Sequence, residues 1–350
     1  NAISRGIIIM KIVAGLGSID EYERFVKAGA DEFFCGYVPY SWSKKYGTVL
    51  PLNRREVLCY NVQLGAFEEL RILAAMIKKY GKPVHLTFNS LYYIPKQYPE
   101  IAEIIRCCMT IGFHSYIIAD PALMVYLREN NVNCDLHISG ETGEINRCMV
   151  DAVAQFHPKR LIFHRKNTFE DMASVIKSCK NKQQNLLSKQ MYESGKEAKI
   201  CEFEAFVLNE LCQFTGAFCK SLHCDEMGYL CRVPYVPGKK KAGKTELALE
   251  VLTDEIEEDI LDAPDYICGE TGCGLCALYQ LQKAGITHLK LVGRGNYVNY
   301  MENDIRNLKQ ALELLDCVKN EADFINKMKA KLFEKGCSGN CYYETYGMKK

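Results

Sequence analysis

The 350 residues carry 44 basic and 43 acidic side chains and 18 cysteines, and the formal net charge is +1. This balance excludes the strong overall positive charge of most nucleic-acid-binding proteins, although a local basic patch can still exist. No stretch reaches the roughly 20 apolar residues of a membrane helix. The apolar run at residues 7–10 is too short for the hydrophobic segment of a signal peptide. Without a signal peptide we expect a cytoplasmic protein. Because disulfides are rare in reducing compartments, its thiols should be free or bound to metal.

Eight short apolar segments predict β-strands, and helix patterns alternate with them. The strands are expected at 11–15, 31–36, 83–89, 115–119, 134–138, 160–163, 202–207 and 288–292. Parallel strands need helical crossovers, so the alternation predicts an α/β fold, a (β/α)8 TIM-like barrel. An open doubly wound sheet shares this alternation, but eight units favour closure.

Capping residues support the predicted helices. Ser18 and Glu21 have the spacing of a capping box, as do Thr168 and Asp171. The pair Asp120–Pro121 is an N-cap followed by a first-turn proline.

The predicted barrel domain covers residues 10–317, and two connections in it, 37–66 and 208–287, are longer than a compact domain needs. The second connection is a long Cys-rich insertion between the seventh and eighth strands. A helix and a tail with Cys337 and Cys341 follow at 318–350. These two thiols either hold the tail in place or bind metal. The polar stretch 180–199 predicts a mobile insert.

The Cys-rich region, residues 201–276, begins with a strand that alternates apolar and acidic residues, which predicts a half-buried strand. Four cysteines follow closely: Cys212, Cys219, Cys224 and Cys231. Clustered thiolates favour zinc or iron–sulfur binding, whereas reduced, packed thiols are the structural alternative. A zinc ribbon needs two Cys-x2-Cys pairs, and only Cys273 with Cys276 has that spacing.

Polar residues at the ends of predicted strands are the candidate site, because reacting groups in such barrels lie at the C-terminal strand ends. They are Asn89, Asp120, His137, Arg165 and Arg294. We interpret the two arginines as ligands of a carboxylate or phosphate. His137 and Asp120 are the candidate proton donors or acceptors.

Each of these residues also has a structural interpretation. Asp120 can be an N-cap alone, and His137 can be a satisfied core histidine. The arginines can pair with Glu141 or with Glu204, which is placed to point into the barrel as a substrate-binding group or as a structural partner.

Three segments around the first cysteines resemble peptidase family U-32. They are EAFVLNELC at 204–212, Cys219 after a six-residue gap, and LCRVPY at 230–235. Further similar elements follow the family's order: IADP at 118–121, His137 with Ser139, Arg165, and LKLVGR at 289–294. The chain departs from the family at residues 208–210, where His-Gly-Ala is usual, at Ala217 and at Glu141.

The resemblance implies a four-iron–four-sulfur cluster. Its ligands would be Cys212, Cys219, Cys231 and, by counting back from Ala284, Cys273, with Cys268 and Cys276 close by. Full ligation of such a cluster takes one thiolate per iron.

The resemblance also implies an activity, because members of the family resemble oxygen-independent hydroxylases of quinone precursors or RNA bases that use prephenate as oxygen source. We therefore expect modification of a small molecule, a peptide or a nucleobase, with RNA kept among the candidate partners. The alternative is a protease, as the family name says, but the sequence has neither a clear nucleophile–base pair nor a His-Glu-x-x-His helix. A third interpretation is a cluster-bearing subunit that works only with a homologous partner barrel.

Overall fold

The computed structural model describes residues 9–47, 49–54, 62–143, 145–190, 202–212, 266–334 and 336–343, with side chains of the helix that ends at residue 190 described up to residue 181. Much of the predicted Cys-rich insertion, including Cys219, Cys224 and Cys231, lies outside the described residues. In the described part no helix has the length and apolar character that crossing a lipid bilayer requires.

Eight parallel strands close into a barrel, as predicted. The strands of the described residues are β1 Lys11–Leu16, β2 Glu32–Tyr37, β3 Gln63–Leu64, β4 Val84–Phe88, β5 Ser115–Ile118, β6 Asp135–Ile138, β7 Arg160–Ile162, β8 Glu202–Leu208 and β9 His288–Leu291. β1 pairs with both β2 and β9, which closes the sheet. The short β3, which the apolar pattern does not predict, pairs with β2. The open doubly wound alternative is therefore wrong.

Helices surround the barrel and cover its outer face. They are α1 Asp20–Ala28, α2 Tyr40–Tyr46, α3 Phe67–Tyr80, α4 Gln97–Thr110, α5 Pro121–Glu129, α6 Arg147–Val153, α7 Phe169–Gln190, α8 Leu278–Ala284, α9 Val298–Leu315 and α10 Glu321–Leu332. Fully buried leucines such as Leu70 of α3 and Leu308 of α9 belong to the core against the strands. α7 extends to residue 190, so the first half of the predicted 180–199 insert is helical.

Helix caps are mostly where the sequence predicts them. Asp120 accepts a hydrogen bond from the backbone N–H of Ala122 at 2.8 Å, and Thr168 and Asp171 bond to each other's backbone N–H groups. The predicted capping box at α1 is only half correct. Glu21 accepts from the N–H of Gly17 at 2.7 Å, but Ile19 and not Ser18 occupies the N-cap position.

Both faces of β8 are buried, so the prediction of a half-buried strand is wrong. Phe203, Ala205 and Val207 belong to the apolar core, while Glu204 on the opposite face is also fully buried. The acidic face of this strand points into the barrel and not to solvent, because closure leaves no solvent-exposed side.

A buried ion network fills the barrel interior below the C-terminal strand ends. Arg160 on β7 is 1% exposed and contacts Glu32, Glu202 and Glu204 at 2.6–2.8 Å. Glu204 in turn accepts from Lys290 at 2.8 Å. Burial alone would raise the pKa of Glu204, but Lys290 and Arg160 outweigh it and lower that pKa to about 2. Buried charges are tolerated when they are paired in this way.

Candidate functional site

A cavity of about 130 Å³ opens at the C-terminal ends of the strands. Side chains that follow five of the strands line it: Asn89 after β4, Ser139 after β6, Arg165 after β7, Cys212 after β8 and Arg294 after β9. This is the end of the barrel at which such folds place their reacting groups. Three predicted substrate-binding residues, Asn89, Arg165 and Arg294, therefore meet in one cavity.

The cavity is positively charged. Four cationic side chains, Arg54, Arg165, Lys290 and Arg294, line it together with two acidic ones, Glu141 and Glu210. In the described part of the chain, Nε of buried Arg165 has no hydrogen-bond partner. A buried guanidinium donor of this kind favours a ligand with carboxylate or phosphate oxygens.

Aromatic rings as well as carboxylates support these cations. The Arg165 guanidinium lies 3.9 Å from the centroid of the Phe206 ring, and the Lys290 ammonium lies 3.7 Å from that of Phe34. A ring face attracts a cation without neutralising it. The rings therefore leave these cations available to other partners, of which Glu204 already binds Lys290 at 2.8 Å.

Glu141 ties two of the arginines together. Its carboxylate lies 3.1 Å from Nη1 of Arg54 and 3.7 Å from Nη1 of Arg165. The expected pairing of Arg165 with Glu141 is thus present, although its distance is long. Glu204 pairs instead with Arg160 and Lys290.

Two glycines make room for Arg294. A Cβ added at Gly36 would lie 2.7 Å from Nη1 of Arg294, and one at Gly15 would lie 3.0 Å from its Cγ. Both contacts are shorter than side chains normally tolerate. Glycine at these two positions of β1 and β2 therefore leaves the space that this arginine occupies at the cavity.

Three predicted site residues do not line the cavity. Glu204 lies below it in the ion network. Asp120 caps α5 and accepts a second hydrogen bond from the Tyr98 hydroxyl at 3.1 Å, and burial raises its pKa. His137 is fully buried inside the barrel, with its ring centroid 4.5 Å from that of His85.

His137 is neutral near pH 7. Burial lowers its pKa well below 6.5, and the neighbouring His85 and the charged Arg160 act in the same direction. Neither of its ring nitrogens has a hydrogen-bond partner among the described residues. It is therefore not the satisfied core histidine of the structural interpretation, and its function stays a prediction.

The buried histidines predict a loss of stability in acid. Burial also lowers the pKa of His85, so the unfolded chain binds protons near pH 6.5 that the folded chain excludes. Stability is kept above about pH 6.5 and falls below it, by about 1.4 kcal/mol per pH unit for each such histidine. We expect His137→Leu to make this loss shallower by one histidine's share, measured by urea unfolding between pH 7 and 5. An unchanged slope would contradict the neutral state of His137.

Sequence reasoning missed Arg54, Lys290 and His85. Arg54 lies in the long 37–66 connection, and its backbone N–H donates to the Asn89 side chain at 3.2 Å. Only the length of that connection signalled a function. Lys290 and His288 alternate with leucines in β9, a pattern that indicates a polar barrel interior once closure is known.

Two isolated β-bridges connect the end of β8, the loop at Cys273 and the C-terminal tail. Leu208 forms an antiparallel bridge with Cys273, and Cys273 forms a parallel bridge with Cys341 of the C-terminal tail. Cys212 follows on the first of these segments and lines the cavity. These bridges bring three distant cysteine-bearing segments together. Within the described ranges, however, no three Cys, His, Asp or Glu side chains lie close enough together to hold a metal ion.

Comparison with known proteins identifies the family. The profile of peptidase family U32 matches residues 17–349. The chain belongs to peptidase family U32. No curated protein matches the sequence.

Solved structures similar to this U32 protein include the U32 peptidase Mk0906, at 10% identity and a TM-score of 0.39, covering 57% of this chain and 69% of that one. Dihydrodipicolinate synthase from Oceanobacillus iheyensis matches at 9% identity and a TM-score of 0.41, covering 97% and 84%. KGPDC from Streptococcus mutans matches at 8% identity and a TM-score of 0.39, covering 88% and 99%.

Proposed function

We propose that this U32 protein is an oxygen-independent hydroxylase or a related modifying enzyme. Its substrate would be a small molecule, a peptide or a nucleobase, and it would bind an anionic co-substrate such as prephenate at the barrel mouth. The observation that carries the proposal is the cavity with four cationic side chains, where Arg165 retains an unpartnered donor and Cys212 forms part of the wall.

The proposed cofactor is a four-iron–four-sulfur cluster, with Cys212, Cys219, Cys231 and Cys273 as its ligands. Two of these four cysteines are described, and the bridge between Leu208 and Cys273 supports the set, because it joins the end of the segment before Cys212 to the loop that carries Cys273. When bound, the cluster would supply electrons to the reaction. Four protein thiolates leave no iron position open, so the substrate would bind beside it.

The side chains of the cavity would orient the anion. Arg165 and Arg294 offer planar guanidinium groups that can each hold a carboxylate with two hydrogen bonds. Phe34 and Phe206 provide apolar ring surface between these cations. A ligand with carboxylates and an apolar body matches this combination.

Proton transfer is the proposed role of His137 and Asp120. Neither residue lines the cavity, so each would exchange protons with a ligand through at least one bridging water. The depressed pKa of His137 makes its neutral ring available as an acceptor at pH 7.

The protease alternative has the family name in its favour. A cysteine protease needs a base within hydrogen-bond reach of its thiol. Cys212 is the thiol in the described cavity wall, and no histidine is part of that wall. The described wall therefore offers Cys212 no such base, and we keep the modifying enzyme, alone or with a homologous partner subunit, as the proposal.

Anaerobic purification tests the cofactor. We expect a brown protein with about four iron and four sulfide ions per chain. Cys212→Ser and Cys273→Ser should lose both, and Cys148→Ser, at an exposed thiol, should keep both. Iron-free protein purified anaerobically would contradict the proposal.

The activity is tested in cells that lack the gene. We expect at least one hydroxylated metabolite or RNA base to disappear from their mass spectra and to return with the wild-type gene but not with Cys212→Ser. Unchanged spectra, together with peptide cleavage that Cys212→Ser abolishes, would favour the protease.

A further inference from the structure

The backbone that connects β8 to the cavity wall is left-handed at two successive residues, Asn209 with φ 66° and Glu210 with φ 49°. Residues other than glycine adopt this region at a cost in free energy, although asparagine tolerates it. Glu210 itself and the next two residues, Leu211 and Cys212, line the cavity. A strained turn persists only where surrounding contacts hold it, so the contacts of this turn determine where the wall lies.

Asp304 on α9 supplies the first of these contacts. The Nδ2 atom of Asn209 donates to Oδ2 of Asp304 at 2.8 Å and to the carbonyl oxygen of Val292 at 3.2 Å. Both Asn209 and Asp304 are buried, so solvent does not compete for this hydrogen bond. Because a buried donor that loses its acceptor is costly, Asp304 fixes the direction in which the Asn209 side chain points.

The same carboxylate holds the loop at residues 266–274. Oδ1 of Asp304 accepts a hydrogen bond from the hydroxyl of Tyr266 at 2.7 Å. Burial raises the pKa of Asp304 to about 6, against the lowering effect of the hydrogen bonds from Asn209 and Tyr266. Asp304 is therefore mainly ionised at pH 7, the form in which its two oxygens accept both hydrogen bonds.

The turn and the loop also bond to each other. The backbone N–H of Asn209 donates to the carbonyl oxygen of Gly272 at 2.9 Å. That of Leu211 donates to the carbonyl oxygen of Thr271 at 2.7 Å. A Cβ added at Gly272 would lie 2.8 Å from the backbone nitrogen of Leu211, so the two segments are in close contact. Asp304 thus joins α9 to both of them.

We propose that Asp304 is a positioning residue of the cavity wall, which acts through Asn209 and Tyr266 to set where Glu210 and Cys212 lie. Asp304 does not line the cavity, so it acts on a ligand only through the wall. The inference rests on the proposed function only in treating this wall as part of the binding site.

Amide hydrogen exchange of the full-length protein tests the proposal. In Asp304→Leu, which removes both acceptor oxygens, we expect exchange at Leu211 to become roughly tenfold faster or more. Asp304→Asn keeps the shape of the side chain and one acceptor oxygen, and its amide can donate to the Tyr266 hydroxyl, so exchange should stay within about threefold of the wild type.

Three controls separate this effect from a loss of overall stability. Tyr266→Phe removes one of the two hydrogen bonds and little packing, and should accelerate exchange at Leu211 by a smaller factor than Asp304→Leu. Asp316→Leu, at an exposed position at the end of the same helix, should match the wild type. The amide of Asp31, which bonds to the carbonyl oxygen of Ile12 at the opposite end of the barrel, should exchange at the wild-type rate in every variant.

Two further readouts follow the wall itself. Alkylation of Cys212 by iodoacetamide, measured by mass spectrometry on the protein as purified, should become roughly tenfold faster in Asp304→Leu and change little in Asp304→Asn. Prephenate should bind roughly tenfold more weakly to Asp304→Leu and within about threefold of the wild type to Asp304→Asn.

Three results would overturn the proposal: unchanged exchange at Leu211 in both Asp304→Leu and Tyr266→Phe, equal acceleration in Asp304→Asn and Asp304→Leu, or equal acceleration at Asp31. Wild-type protein that does not bind prephenate, combined with the expected exchange and alkylation in the variants, would instead contradict the proposed function and leave the role of Asp304 standing.

Discussion

Replacing Arg160 by methionine is expected to lower the free energy of unfolding by about 3–5 kcal/mol. The guanidinium contacts Glu32, Glu202 and Glu204 inside the barrel. Without it, fully buried Glu204 keeps only Lys290 as an ionic partner among the described residues. An underpaired charge in the interior costs far more than the lost packing of one side chain.

Urea unfolding at pH 7 measures this effect. The matched control is Arg106→Met, because Arg106 is exposed and its ion pair with Glu103 is 3.5 Å long; we expect a change of at most about 0.5 kcal/mol. A loss below about 1 kcal/mol in Arg160→Met would show that the network contributes little to stability.

Replacing Arg165 or Arg294 by glutamine is expected to weaken the binding of prephenate by roughly 10- to 150-fold for each residue. A hydrogen bond to a charged group contributes about 1.5–3 kcal/mol, which corresponds to this range. Glutamine keeps much of the length of the side chain but removes its charge and its paired N–H geometry.

Titration calorimetry with prephenate measures this affinity, and the thermal unfolding of each variant shows whether the barrel is intact. Arg306→Gln is the control, because Arg306 lies on the exposed side of α9 next to Glu302. Equal affinity in the wild type and both cavity variants would remove the anion site from the proposed function.

Local pattern was enough to predict the strands and their order. The apolar segments that predict strands match β1, β2 and β4–β9 closely, and Asp120 and Thr168 cap the helices expected of them. These signals depend on neighbours in the chain, such as alternation along a strand or a side chain that accepts from an N–H two or three residues later.

Closure of the barrel also made part of the site predictable. Because parallel strands end on one side, residues just after a strand must meet there, and Asn89, Arg165 and Arg294 do. The rule fails for His137, which lies within β6 and points to the interior below the cavity, and for Asp120, whose carboxylate turns back to cap α5.

The amino-acid sequence by itself determined the closed barrel, its helix caps and three residues that line the cavity, Asn89, Arg165 and Arg294. Each follows from periodicity or from the position of a residue at a strand end. Only the tertiary structure decided that Arg160 joins three carboxylates, that Arg54 and Lys290 reach the cavity, and that the C-terminal tail pairs with the loop at Cys273. Those contacts join residues far apart in the chain. Their partners depend on strand register and barrel closure, which no local pattern records.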